Sequence, residues 1–179
     1  MNKLLAAFGA LILSTGIMFG CAANNNDTKD DATTTTTEQT TTQATSDEAA
    51  TETQYITAED LKSRVDAADT DILLVDVRKL ADYDEGHIDG AITADMDAAK
   101  DGNMEDGEIT MKEALAEATG SDTGADRELI LICYSGNAYA KAATDVLSSI
   151  GAKMENVYTL EGGMKAWNEA YPDELVTTP

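Results

Sequence analysis

Leu129-Ile130-Leu131-Ile132-Cys133-Tyr134-Ser135-Gly136-Asn137-Ala138 places a cysteine directly behind an unbroken apolar run. Four consecutive apolar residues with isoleucine at two of them read as a strand buried on both faces, the pattern of a parallel sheet. The next segment, Tyr139–Ile150, has helical composition and is closed by Gly151. Cys133 therefore belongs to a loop between a strand end and a helix start. Ligands of open parallel sheets collect at the carboxyl ends of strands. The free N–H groups and positive dipole end of the following helix point at the same place. Donors of that kind favour a thiolate, the nucleophilic form of cysteine. Gly136 can take a positive φ and let the loop curl around the sulfur. The alternative is a buried, inert cysteine closing a strand.

The segments on either side repeat the strand–helix alternation. Thr57-Ala58-Glu59-Asp60 has the form of a helix N-cap with an acidic third position, and the helix should reach Ala67. Ile72-Leu73-Leu74-Val75 is a second buried-strand run, ending at Asp76-Val77-Arg78. A short helix to about Tyr83 follows, then a turn between Gly86 and Gly90 and a short strand over Ala91–Thr93. Thr110–Ala118 reads as a helix ending before Gly120. Val157-Tyr158-Thr159-Leu160 is a third strand, and Met164–Ala170 a last helix stopped before Pro172. This order predicts a single α/β domain over residues 55–179, a parallel sheet with helices on both faces.

Several separated motifs of this stretch resemble the rhodanese family. Asp76-Val77-Arg78, Tyr83, Gly86-His87-Ile88 and Gly90-Ala91-Ile92 are similar to its first signature. Cys133-Tyr134-Ser135-Gly136-Asn137 is similar to its active loop, with Ala142-Ala143 and Leu147 in the following helix. Val157-Tyr158, Leu160-Glu161-Gly162-Gly163 and Trp167 are similar to its closing signature. The resemblance implies a rhodanese-like fold and a sulfurtransferase in which Cys133 is the nucleophile that carries a persulfide. It implies that the backbone of Tyr134, Ser135, Gly136, Asn137 and Ala138 surrounds the sulfur and that Asp76 and Arg78 brace the loop. No cofactor or metal is implied. His87 and Trp167 read as structural, and Gly162-Gly163 as a turn.

Ala138 and Tyr139 stand where many loops of the family carry arginine and serine. Without that arginine, and with an acidic surface, the domain is expected to take sulfur from polysulfide or a protein persulfide more readily than from thiosulfate. Two other functions compete. A related phosphatase or arsenate reductase would need an arginine six positions after the cysteine, to clamp an oxyanion bidentately, and that position is Tyr139. A non-enzymatic sulfur-binding or docking module would keep Cys133 without turnover.

The N-terminus carries a different signal. Lys3 precedes an uncharged run from Leu4 to Phe19, too short for a span of ~20 residues and suited to a signal-peptide core. Met18-Phe19-Gly20-Cys21 resembles the lipobox of bacterial lipoproteins. Residues 1–20 are thus expected to be a signal peptide, with Cys21 lipidated and the protein held outside the cytoplasm on the cell membrane. Residues 21–54, with Thr33–Thr37 and Thr40–Thr42, have almost nothing to bury and read as a linker that stays unfolded. Random-coil scaling gives it a reach of ~30 Å. If Cys21 is lipidated, Cys133 is the remaining thiol of the two cysteines, and an exported protein with one unpaired thiol has a reactive group to account for.

The chain carries a formal net charge of −22. Residues 55–179 hold 10 Lys/Arg against 27 Asp/Glu, a net of −17. Nucleic acid is excluded as a partner on that balance. The expected partners are a small sulfur donor or protein persulfide, and the membrane through the lipid; the domain is expected to be monomeric. Asp101–Glu108 is acidic enough to suggest a calcium loop, but its glycine is out of register and no glutamate closes it at position twelve.

Overall fold

The strand Ile72–Asp76 (β2) is buried at all five positions, and Glu128–Ile132 (β5) at its last four. With Gln54–Ile56 (β1), Ile92–Thr93 (β4) and Val157–Leu160 (β6), these two runs form a five-stranded sheet of order β1-β6-β5-β2-β4, in which every neighbouring pair is parallel. The structure is a computed structural model that describes residues 53–178. The signal-peptide, lipobox and most of the linker readings lie outside the described residues. The strand β1 begins at Gln54, the last residue assigned to that linker.

Alternation along the central strands builds two apolar layers. Leu73, Val75, Leu129 and Leu131 face one side, where they meet Asp97–Lys100 (α3), Met104–Thr119 (α4) and Ala138–Ser149 (α5). Ile72, Leu74, Ile130 and Ile132 face the other, against Ala58–Asp66 (α1) and Gly163–Ala170 (α6), where Leu61 and Trp167 are buried. Each fully buried Leu or Ile contributes about 1.5–3 kcal/mol, so this double-sided burial explains why the central strands are unbroken apolar runs. A two-stranded antiparallel ribbon, His87–Ile88 (β3) with Leu175–Val176 (β7), lies beside Leu80–Glu85 (α2).

The expected helix starting at Thr57 is present, and the Thr57 hydroxyl accepts the Asp60 N–H at 3.1 Å. The helix placed at Thr110–Ala118 is longer than its sequence suggests. It starts at Met104, with the Asn103 side chain accepting the Asp106 N–H at 3.4 Å. Gly107 looks like a helix breaker, but a Cβ there would lie 2.5 Å from the Ala99 Cβ. Close packing of α4 on α3 requires the glycine and outweighs its low helix propensity. The same helix takes up Met104–Glu108, five of the eight residues of the acidic Asp101–Glu108 stretch. Among the described residues no group of three acidic, histidine or cysteine side chains could hold a metal ion.

Candidate active site

The carboxyl ends of β2, β4 and β5 converge on one pole, and Cys133 follows β5 there. Its residue is 2% exposed, and it is the free cysteine of the described residues. The Gly136 N–H donates to Sγ at 3.0 Å. That contact needs the loop to turn back on itself, which Gly136 does with φ +77°. A Cβ there would come within 3.2 Å of the Leu160 carbonyl oxygen and the Gly162 nitrogen. Tyr134 is half-buried; Ser135, Asn137 and Ala138 are exposed. Asn137 precedes α5, where its carbonyl accepts the Lys141 N–H at 2.8 Å and its side chain makes no capping bond. No acidic side chain occupies the first turn of α5, so the positive end of that helix is not offset locally.

Asp76 and Arg78 sit behind this loop at the end of β2. Asp76 is fully buried and Arg78 is 7% exposed. The guanidinium donates from Nη2 to Asp76 Oδ2 at 2.7 Å and from Nε to both carboxylate oxygens at 3.0 and 3.1 Å. A further bond runs from Nη2 to the Gly86 carbonyl at 2.7 Å, and the guanidinium lies 5.9 Å from the centre of the Tyr134 ring. The Val77 N–H donates to the Ile132 carbonyl at 2.9 Å, extending the β2–β5 ladder to the residue before Cys133. His87 is buried in β3. It stacks on Tyr83 with ring centres 3.8 Å apart, and its Nδ1 lies 2.9 Å from the Tyr83 carbonyl. It is thus part of the support under Gly86.

The sequence reading missed how the loop is held from the front. Gly163 has φ +58°, and a Cβ there would lie 2.3 Å from the Cys133 carbonyl oxygen and 2.7 Å from the Ser135 nitrogen. The start of α6 therefore touches the loop backbone. The Met164 N–H donates to the Cys133 carbonyl at 2.7 Å and the Lys165 N–H to the Tyr134 carbonyl at 3.1 Å. Gly162-Gly163 is more than a turn; it is the point where α6 docks on the loop. The glycine pair was the visible signal.

Two tyrosines flank the cysteine, packed edge to face with centres 5.0 Å apart. Tyr134 donates its hydroxyl to Asp82 and accepts the Lys79 N–H at 3.4 Å. Tyr139 donates to Asp97 Oδ1 at 2.5 Å and packs against the apolar cluster that contains Cys133. Burial and then the Asp97 carboxylate raise the Tyr139 hydroxyl far above its ordinary range, so it stays a donor. The same bond, then Lys79, holds Asp97 below the usual carboxylate range. Lys79 lies 3.1 Å and Lys100 3.7 Å from Asp97. Asp97 also lines a cleft of about 550 Å³ with Asp95, Asp101 and Asp106. No local sequence pattern could reveal these pairings, which join residues 52 and 42 positions apart.

Comparison with known proteins bears on this arrangement. Among curated proteins, the chain is similar to a thiosulfate sulfurtransferase GlpE of Pseudomonas savastanoi pv. phaseolicola. The identity is 29% over 104 residues, covering 58% of this chain and 79% of that protein. The protein of the same name from Shewanella oneidensis is 32% identical over 99 residues, covering 55% and 78%. Among solved structures, an uncharacterized protein from Saccharomyces cerevisiae matches with a TM-score of 0.52 and 27% identity over 70% of this chain and 98% of that one. A Bacillus halodurans protein shares the fold, with a TM-score of 0.53 at 20% identity over 70% and 78%. The family described as Rhodanese-like domain matches residues 57–170, from the N-cap of α1 to the last residue of α6, and the chain belongs to that family.

Proposed function

We propose that the chain is a sulfurtransferase that carries sulfane sulfur on Cys133. The Cys133 thiolate attacks the outer sulfur of a donor. An S–S bond forms to Sγ, the bond between that sulfur and the rest of the donor breaks, and sulfite or a thiol leaves with the electron pair. A second nucleophile, such as a thiol, then takes the outer sulfur and returns Cys133 as thiolate. This is covalent catalysis in two steps. The observation that carries the reading is the Gly136 N–H on Sγ at 3.0 Å, in a loop fixed by α6 and followed by an uncapped helix start. Donors of that kind stabilise a sulfur anion before and after transfer. Tyr139 gives its hydroxyl to Asp97 and supplies no guanidinium, so an oxyanion clamp of the phosphatase kind has no support here.

The experiment is incubation with thiosulfate and with an organic persulfide, followed by intact mass and turnover measurements. Wild type should gain one sulfur atom, and Cys133→Ser should gain none with either donor. The 2% exposure of Cys133 favours one second reading, a module that holds sulfur for a docked partner without turnover. Persulfide formation with no release to small thiols would select it.

The relatives are thiosulfate sulfurtransferases by name, which makes thiosulfate the reference donor to test on this chain. The N-terminal pattern supports a membrane-anchored, extracytoplasmic protein with lipid on Cys21. Mass spectrometry of membrane-extracted protein should find an acylated peptide beginning at Cys21; a soluble form with Cys21 unmodified would refute the anchor. Among the described residues no helix is long and apolar enough to cross a membrane.

A further inference from the structure

We propose that Asp97 selects against dianionic donors by neutralising the two lysines that border the active loop, an inference that rests on the sulfur-transfer reading. Three cations lie on the side of the loop that carries Tyr134 and Tyr139. Arg78 is committed to Asp76 and the Gly86 carbonyl. Lys79 reaches Asp97 Oδ2 at 3.1 Å, and its backbone N–H touches the Tyr134 hydroxyl. Lys100 lies 3.7 Å from Asp97 Oδ1, is also paired with Asp101, and sits 5.4 Å from the centre of the Tyr139 ring. One carboxylate thus binds both lysines and the tyrosine that packs beside Cys133.

Lys141 and Lys165, in the first turns of α5 and α6, pair with Asp145 and Glu169 at 2.6 and 4.0 Å, and the remaining charged side chains beside the two tyrosines are acidic. Asp82 holds the Tyr134 hydroxyl, and Asp95 accepts the Leu80 and Asp97 N–H groups at 3.0 and 2.8 Å. The lysines therefore give no net positive field to an approaching donor. Thiosulfate carries two negative charges and meets this rim without a free counter-charge. A persulfide with an uncharged tail carries at most one. The selection is electrostatic, so it should appear in binding and weaken with salt.

The full chain is assayed with thiosulfate and with 2-hydroxyethyl persulfide at low ionic strength. Asp97→Asn keeps the size of the side chain and an acceptor for Tyr139 but frees Lys79 and leaves Lys100 with Asp101 alone. The thiosulfate KM should fall about three- to fivefold, the upper part of the range of exposed ion-pair interactions, while the persulfide KM stays within about twofold. The gain should vanish in roughly 0.5 M salt. Adding Lys79→Gln to Asp97→Asn should reverse much of it. Tyr139→Phe, which leaves Asp97 on its lysines, should produce no thiosulfate gain. If both donors improve together, if the gain ignores salt, or if Tyr139→Phe reproduces it, charge neutralisation by Asp97 is overturned. If wild type places no sulfur on Cys133 with either donor, the sulfur-transfer reading falls and this inference falls with it.

Discussion

Asp76 has no exposed surface, and its charge is tolerable because Arg78 meets it with three side-chain hydrogen bonds. Stripping a buried carboxylate of its partner costs about 3–5 kcal/mol, so this pair holds together the end of β2 and, through the Gly86 carbonyl, the segment after α2. Ala138 presents the opposite case. It is exposed at the first position of α5, one residue beyond Asn137, and nothing in the structure requires alanine there. An arginine at this position would add a charge-assisted donor beside the sulfur without disturbing the core. Ala138→Arg should lower the thiosulfate KM roughly tenfold, the effect of one hydrogen bond to a charged group, and change persulfide use much less. Steady-state kinetics with the two donors checks it. Equal use of both donors by wild type, unaltered by Ala138→Arg, would mean that the loop's own backbone donors govern selection and the acidic surroundings do not.

At the scale of elements, the loop is a joint between β5, α5 and α6, and Gly163 is where the joint closes. Gly163→Ala places a methyl 2.3 Å from the Cys133 carbonyl oxygen, against backbone that cannot swing aside. Gly151 offers the control: it has a similar φ of +81°, and a Cβ there meets nothing within 4 Å. Gly151→Ala should cost about 1 kcal/mol from the left-handed backbone alone. Gly163→Ala should cost at least ~2 kcal/mol more and slow persulfide formation; thermal unfolding and intact mass read the two effects. Equal losses would show that α6 does not clamp the loop. The elements that the sequence made legible were those whose signal is local. Ile72–Val75 and Leu129–Ile132 are apolar because both faces are covered, and Thr57 announces its helix through a capping side chain. β1, β3 and β7 were not legible, because two or three residues carry no period and their pairing is set by distant strands. Within the site, Cys133 and Gly136 stood out in the chain, whereas Asp82 and Asp97 acquire meaning only when folding brings them to Tyr134 and Tyr139.

At the scale of the whole molecule, the question is where the independently stable part begins. The threonine-rich stretch after Cys21 offers little apolar surface to offset its ordering entropy, whereas β1 has defined partners. Gln54 Nε2 donates to the carbonyls of Glu155 at 3.0 Å and Val157 at 3.3 Å, and the Glu161 N–H donates to the Ile56 carbonyl at 2.9 Å. Ile56 packs on the layer that contains Leu61 and Trp167. β1 also covers the edge of β6, whose backbone groups would otherwise lie open. Two truncations separate the linker from the domain. A chain starting at residue 53 should unfold at the same temperature as one starting at residue 22. A chain starting at residue 57 loses β1, several hydrogen bonds and the Ile56 contact. It should be less stable by roughly 2 kcal/mol or more, at about 1 kcal/mol for each bond, and more prone to associate through the bared edge of β6. Thermal melts and light scattering on the three chains decide it. A large drop already at residue 53 would mean that residues 22–52 pack against the domain, and the boundary placed at β1 would be wrong.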